Sequence, residues 1–401
     1  MSLKIWQDGV DYASVATLPE NGNFKCVGNS FLTKKDPFAY TENKLILADG
    51  CAFDVYDGTT WRQITNRGDY EFDPVDLLDT GSALDYGKDY YVYIVVTDAE
   101  TVSIKVSLNT TYPVGESAAN TRKIGGFHVG EIRKVSDDGL WIPIDSLGIK
   151  FGSNGIGWKD NVTTGIVPNS VWDLKNRPKN FMPGMVKCNN FWISIYQMSV
   201  AEGISFMGST NGLHVASGRL KSAYGALPAT GTEGLNGFNF NELASKQGMR
   251  LPSYLECCQM AFGAPQGLDN ADTYGWTKTT NTARTYTGCS VNTGSGAHAP
   301  GTGAKPYAIS AYNVVDTSGN VWEWCSDIAP YYEGATWNWR NVLGANMGQA
   351  HLTGDTGLRQ FLFGGGWNNG VFCGPRTVSG DDWPWRVGVG IGARFACDSA
   401  C

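Results

Sequence analysis

The chain is short of charge. Asp, Glu, Lys and Arg make up only 17% of its 401 residues, and the net charge is −7 with no run of Lys or Arg. Nucleic acid and anionic membrane surfaces are therefore poor partners. Long apolar runs are also missing: no segment approaches the roughly 18 uninterrupted residues that a membrane helix requires, so no membrane insertion is expected. The N-terminal MSLKIWQDGVDYAS has no apolar stretch of the kind a secretory leader carries. Ten Cys are present, at 26, 51, 188, 257, 258, 289, 325, 373, 397 and 401, but none stands in a CxxC or Cys/His ligand pattern, which argues against structural zinc. Without an export signal these thiols are expected to stay reduced and to pack as small hydrophobes. Cys397 and Cys401 lie close enough in sequence for late oxidation. His is scarce too, at 128, 214, 298 and 351 only, in no catalytic or ligand motif. There is no G-x-S-x-G elbow, Ser/His/Asp arrangement or phosphate loop, and GSGAHAPGTGAKP reads as a loop because no strand–turn–helix surrounds it.

What is abundant is Gly (51) and Trp (14). That composition predicts tight turns, short strands and long ordered loops, and the length predicts two or three domains. Residues 1–145 read as β: a small β-rich segment over 1–64, then a sandwich-like unit over 65–145. LILADGCAFDVYDGTTWRQI alternates short apolar runs with Asp-Gly turns, and DYYVYIVVTDAETVSIKVSL has the form of a hairpin. Gly125-Gly126 marks a bend or bulge in the following strand. The zone from Asp137-Asp138-Gly139 to Ser153-Asn154-Gly155 is the expected linker. Beyond it, VPNSVWDLKNRPKN predicts a short helix with a Ser170 cap and Pro178 stop. MVKCNNFWISIYQMSV predicts a strand or strand pair. NELASKQGMRLPSYLECCQMAFGA predicts two helices split by Gly248 and Pro252, with Leu255, Cys258 and Gln259 at helical spacing. Residues 262–320 have almost no period, and Trp276, Tyr286, Tyr307 and Tyr312 favour an ordered loop region there.

Two C-terminal stretches are the most distinctive. In SGNVWEWCSD, Trp322 and Trp324 would share one face of a strand and Glu323 the other. Either this is a buried aromatic strand with Glu323 serving nearby backbone N–H groups, or Asn320 and Glu323 are oxygen ligands of a structural calcium. From Leu358 to Cys401, Phe361-Leu362-Phe363 and Ile391 to Ala396 have core character. Between them lie about two dozen residues of Gly, Pro, Trp, Asn, Asp and Arg with no usable period. Trp and Arg dominate binding hot spots, so this composition points to recognition before chemistry. In WRVGVGIGAR, Val387, Val389 and Ile391 alternate with Arg386, Gly388 and Gly390. One set then faces the core and the other a ligand, or the segment is a Gly-weakened edge strand.

The blocks GMVKCNNFWISIYQMS, GMRLPSYLECCQMAFG, DTSGNVWEWCSD, FGGGWNN and GARFAC occur in that order. Together they resemble the formylglycine-generating-enzyme type of C-type lectin fold over about residues 160–401. The fold class expected is thus mixed: N-terminal all-β modules followed by an α+β C-type lectin fold over 146–401. The enzymes of that group use two closely spaced cysteines after the Gly-Gly block. Here Cys373 stands near one place and Asn368, Asn369 or Gly370 at the other, so the thiol pair is not expected, nor is the His/His/carboxylate triad of iron-dependent relatives.

The tail from WNNG to IGARFACD is similar to the variable region of retroelement-diversified proteins of the phage tropism-determinant type. The resemblance implies a non-enzymatic receptor-binding protein at a tail-fibre tip, made in the host cytoplasm, with N-terminal β modules for attachment and homotrimer formation. Its partner would be a cell-surface receptor, protein or glycan, of a bacterial host. The variable region would span about 364–396. Candidate ligand-binding positions are Gly366, Trp367, Asn368, Val371, Phe372, Cys373, Ser379, Asp381, Asp382, Trp383, Trp385, Arg386, Gly388 and Gly390. Two alternatives remain: a formylglycine-generating-type or iron-dependent oxidase, and a bacterial surface-displayed lectin-like protein. No cofactor is expected, with a structural calcium only under the second reading of Asn320 and Glu323.

Overall fold

A computed structural model of the chain describes residues 30–35, 43–56, 59–81, 83–98, 101–133, 162–208, 214–262, 264, 284–288, 308–329, 338–340, 350–352, 357–369 and 372–400. The expected linker, Trp276, Tyr307, His298, Cys401, Val371 and the GSGAHAPGTGAKP loop lie outside them. The described residues are mostly β, and no helix among them is long and apolar enough to cross a membrane. They form two compact units, one from Met1–Ile132, Thr164–Arg177 and Ala400–Cys401, the other from Arg133–Thr163 and Pro178–Ser399.

The first unit contains β1 (Leu32–Lys34), β2 (Leu45–Leu47), β3 (Ala52–Tyr56), β4 (Trp61–Thr65), β5 (Tyr70–Phe72), β6 (Asp89–Val96), β7 (Val102–Ser107), β8 (Thr121–Arg133), β9 (Val162–Ile166) and β10 (Trp172–Asp173). β1-β2-β5 form one small sheet and β3-β4 a hairpin. β10-β8-β6-β7 form the largest sheet of this unit, with β9 also on β8. The hairpin read from sequence is β6-β7, in register from Tyr91↔Ser107 to Val96↔Val102. A single cluster of buried side chains includes Phe31, Phe53, Val92, Val106, Phe127 and Val171, so strands on both sides of residue 64 share one core.

Gly125 and Gly126 sit where β10 crosses β8. A Cβ on Gly125 would lie 2.4 Å from the Trp172 carbonyl oxygen, so this contact needs glycine. The ladder to β6 slips by one residue at the same place. The helix expected over 167–180 does not form. Pro168–Ser170 make one 3-10 turn and lead directly into β10. Ser170 Oγ accepts from His128 N, and the Asp173 carboxylate accepts from Ser30 Oγ, Phe31 N and Leu32 N. Tertiary partners thus claim Ser170, the expected cap, and Asp173 three residues on.

The second unit contains β11 (Met185–Cys188), β12 (Phe191–Ser194), β13 (Met198–Phe206), β14 (Val215–Ser222), α1 (Gly237–Lys246), α2 (Tyr254–Met260), β15 (Trp322–Ala329), β16 (Asn338–Arg340), β17 (Ala350–Leu352), β18 (Arg359–Phe363), β19 (Val378–Ser379), β20 (Ile391–Gly392) and β21 (Ala396–Asp398). The strand pair read from MVKCNNFWISIYQMSV is the hairpin β11-β12, turning at Asn189 with φ +55°. β21 closes onto β12, so the start and end of the unit share one sheet. Both helices carry reciprocal caps, Asn236 with Asn239 and Ser253 with Glu256. In α2 the buried side chains are Cys257 and Met260, while Leu255 is 75% exposed. The helical spacing through Leu255, Cys258 and Gln259 therefore chose the wrong face. β16-β17-β19-β18-β15-β20 form a six-stranded sheet that carries the C-terminal stretch. Its core includes Trp192, Trp324, Phe240, Phe363 and Phe395.

Candidate functional site: a cavity under the C-terminal loops

Between β18 and β20 the only strand among the described residues is the two-residue β19, yet the backbone is held at short intervals. Trp367 N donates to Asn320 O (3.0 Å) and Gly374 N to Gly364 O (3.1 Å). Gln360 N donates to Asp382 O (2.9 Å), Gly237 N to Pro384 O (2.8 Å), Gly231 N to Gly388 O (3.0 Å) and Trp322 N to Gly390 O (2.9 Å). Buried backbone groups that find partners this way fix a loop as firmly as a ladder does. Gly231 allows one of the closest approaches. A Cβ there would come within 2.5–2.8 Å of the Gly388 backbone, which has no rotamer by which to yield. Gly231→Ala is expected to displace residues 386–390 and to cost about 1–3 kcal/mol. A thermal melt checks this, and an unchanged melting temperature would contradict the close packing.

Beneath this loop lies a buried polar network. Arg394 Nε donates to both Glu323 oxygens at 3.0 Å. Its Nη1 donates to Ile195 O (2.6 Å) and its Nη2 to Val315 O (2.5 Å). Gln197 Nε2 donates to Glu323 Oε1 (2.8 Å) and Gln197 Oε1 accepts from Asn320 Nδ2 (2.7 Å). Asn320 Oδ1 accepts from Thr285 N (2.8 Å). The supposed calcium ligands are thus taken by protein donors. A guanidinium already supplies the positive charge that a cation at Glu323 would bring. Among the described residues no group of three or more His, Cys, Asp and Glu converges as a metal site. Trp324 is fully buried, whereas Trp322 is half-buried at the edge of a cavity.

That cavity has a volume of about 410 Å³, within the usual range for small-ligand sites. Trp322, Trp339, Trp367, His351, Asp381 and Arg386 are prominent in its wall. Trp339 stacks on Phe372 (centroids 4.6 Å apart, 7° between planes) and lies 4.7 Å from His351 and 6.3 Å from Trp322. Eight expected positions line the cavity: Trp367, Asn368, Ser379, Asp381, Asp382, Arg386, Gly388 and Gly390. Sequence reasoning missed Trp339 and His351, which arrive on β16 and β17. It assigned Trp322 to the core and gave Asn369 no place in the site. TWNWRN, residues 336–341, repeats Trp at a spacing of two, the one local signal that could have drawn attention to Trp339.

Asp382 is buried and ion-paired with the exposed Arg386 four residues on. Burial raises the Asp382 carboxyl above its ordinary range, and the Arg386 charge pulls it back down. A carboxyl raised by folding holds its proton more tightly in the folded chain. Its contribution to stability is therefore greatest in acid and declines as pH rises from the usual value, about 3.9, through the raised one. Arg386→Ala should steepen that decline and Asp382→Asn should flatten it, as read from melting temperatures between about pH 4 and pH 7. Parallel profiles for wild type and Arg386→Ala would show that the pair does not couple.

Several expected positions are not displayed. Cys373 is buried, and its Sγ donates to Gly366 O (3.2 Å). Burial pushes that thiol well above its ordinary range, against a reactive thiolate. Gly366 is also buried, and a Cβ on it would press on Trp322 at 3.2 Å. Ser379 is buried in β19, and Asp382 is buried through its pairing. The alternation read in WRVGVGIGAR is absent as well. Residues 386–390 run as turn and coil, Val387 is exposed and Val389 is 60% exposed; only Ile391 enters the core. The segment's backbone bonds go to Gly231 and Trp322 rather than to one neighbouring strand, which removes the period of two. Trp383 and Trp385 are exposed at 39% and 55%, with centroids 6.2 Å apart, and the Arg359 guanidinium lies 5.1 Å over the Trp383 ring.

A family model for the sulfatase-modifying factor enzyme 1-like domain matches residues 166–398, and one for the Mtd second domain matches residues 37–159. The chain belongs to the sulfatase-modifying factor enzyme 1-like family, with a formylglycine-generating type of C-type lectin fold in its C-terminal part. It is 27% identical over 336 residues, 80% of this chain and 74% of the relative, to the tail fiber receptor-binding protein of Bordetella phage BPP-1. Its fold is similar to that of the Major Tropism Determinant M1 variant (TM-score 0.60, 22% identity, 92% of this chain and 83% of that one). The U1 variant is similar to the same degree (TM-score 0.59, 24% identity, 92% and 85%).

Proposed function

We propose that this chain is a receptor-binding protein of a phage tail fibre, carried on the virion and non-enzymatic. Its C-terminal domain binds a protein or glycan on the surface of a bacterial host. The observation that carries this reading is the contrast within residues 364–396. The backbone is tied down every few residues, while Trp383, Trp385, Arg386 and Val389 stand in solvent beside a cavity. A frame ordered in advance loses little free energy to ordering on binding. Its side chains can then be exchanged without refolding, which suits diversification by a retroelement. The all-β N-terminal modules serve attachment and homotrimer formation, and several copies per particle raise avidity without new contacts. The relation to a tail-fibre receptor-binding protein over most of both chains supports the same reading.

The test is adsorption. Labelled protein should bind host cells saturably and block infection by the phage that encodes it. Failure to bind any strain that the phage infects would overturn the proposal. Diversification has its own readout: DNA downstream of the gene should hold a near-copy of the last hundred or so bases, differing at adenines, beside a reverse transcriptase.

A further inference from the structure

The cavity contains one group that its surroundings leave unbalanced. Asp382 has Arg386 as counter-ion. The side chain of the adjacent Asp381 is only 9% exposed, and the ionisable group in pairing range among the described residues is the His351 ring, with Nδ1 3.5 Å from Oδ2. That distance is too long for a firm hydrogen bond. A carboxylate drawn this far out of water is unfavourable until it is paired, and Asp381 lines the cavity, so a partner can reach it from there. The neighbouring walls carry the indoles of Trp322, Trp339 and Trp367. Aromatic rings attract cations, and Lys or Arg lays its apolar stem along such surface while its head stays polar. A neutral sugar could stack on the rings but would bring no charge to Asp381.

We propose that the cavity receives a Lys or Arg side chain of a protein receptor, with Asp381 as its counter-ion and the indoles around its stem. The inference rests on the receptor-binding reading and narrows the receptor to a protein with an exposed basic side chain. The full chain is titrated with N-acetyl-lysine methylamide and with the uncharged N-acetyl-norleucine methylamide, reading tryptophan emission. The lysine derivative should bind about tenfold more tightly, and the difference should shrink in about 1 M salt. Asp381→Asn should remove the difference at a melting temperature no lower than that of the wild-type chain, and Asp381→Glu, which keeps the charge, should retain it. Equal binding of the two compounds by the wild-type chain, or tighter binding of a methyl glycoside, overturns the proposal. So does loss of the preference in a folded Asp381→Glu chain. If host cells bind the wild-type chain while no lysine preference appears, the cation assignment falls and the receptor-binding reading stands. Saturable lysine binding with no uptake by host cells reverses that outcome.

Discussion

Replacing Trp383 and Trp385 together by Ala is expected to abolish binding to host cells while lowering the melting temperature by a few degrees at most. Buried tryptophans at the centre of an interface typically cost about 2–4 kcal/mol each when truncated, roughly thirtyfold to a thousandfold in affinity. Here the two rings are exposed in the unbound chain and lie against each other. Their burial is thus deferred until a partner arrives, and little folding stability depends on them. Trp383 does cover Arg359. Its removal uncovers a guanidinium to water rather than leaving a charge stranded in the core, so the stability cost stays small. The measurement is paired: cell adsorption beside a thermal melt. An unfolded double variant would show the rings to be structural, and full adsorption would show that the receptor is gripped elsewhere.

The second large effect is on stability. Arg394→Met should destabilise the C-terminal unit by about 3–5 kcal/mol, because it strands the Glu323 carboxylate in the core. Burial pushes that carboxyl up, and the Arg394 charge and its hydrogen bonds pull it down. Without Arg394 the carboxyl would rise further and take up a proton in the fold. The loss should therefore be smaller in mild acid and grow as pH rises above the usual Glu value of about 4.3. Adding Glu323→Leu to Arg394→Met should recover part of the loss, since two apolar groups leave no charge unpaired. Denaturant unfolding of both variants near pH 5 and pH 8 tests this. Equal losses at the two pH values would mean that Glu323 does not titrate in the variant.

The order of the GMRLPSYLECC, GNVWEW, FGGGWNN and GARFAC blocks made the lectin-type domain legible without a structure, and the absence of period between residues 364 and 390 marked the irregular loop that the proposed function uses. Binary pattern reached the β6-β7 and β11-β12 hairpins and both helices because each pairs residues close in sequence. It failed at 167–180, where Asp173 serves the backbone of residues 31 and 32, more than a hundred positions away. It placed Arg394 in a stretch of core character, where the structure does bury it, but gave no sign that its partner is Glu323.

Local composition determined that this protein carries an irregular, aromatic, charge-bearing stretch between two core segments, because turn chemistry and strand period are short-range properties. Only the tertiary structure decided which of those side chains meet. Trp339 and His351 join Asp381 through strand pairing at the edge of the six-stranded sheet. Cys373 and Gly366 turn inward, and residues 386–390 hang on Gly231 and Trp322 instead of forming a strand. Such choices depend on close approach and on long-range partners for backbone groups, and neither leaves a periodic trace in the sequence.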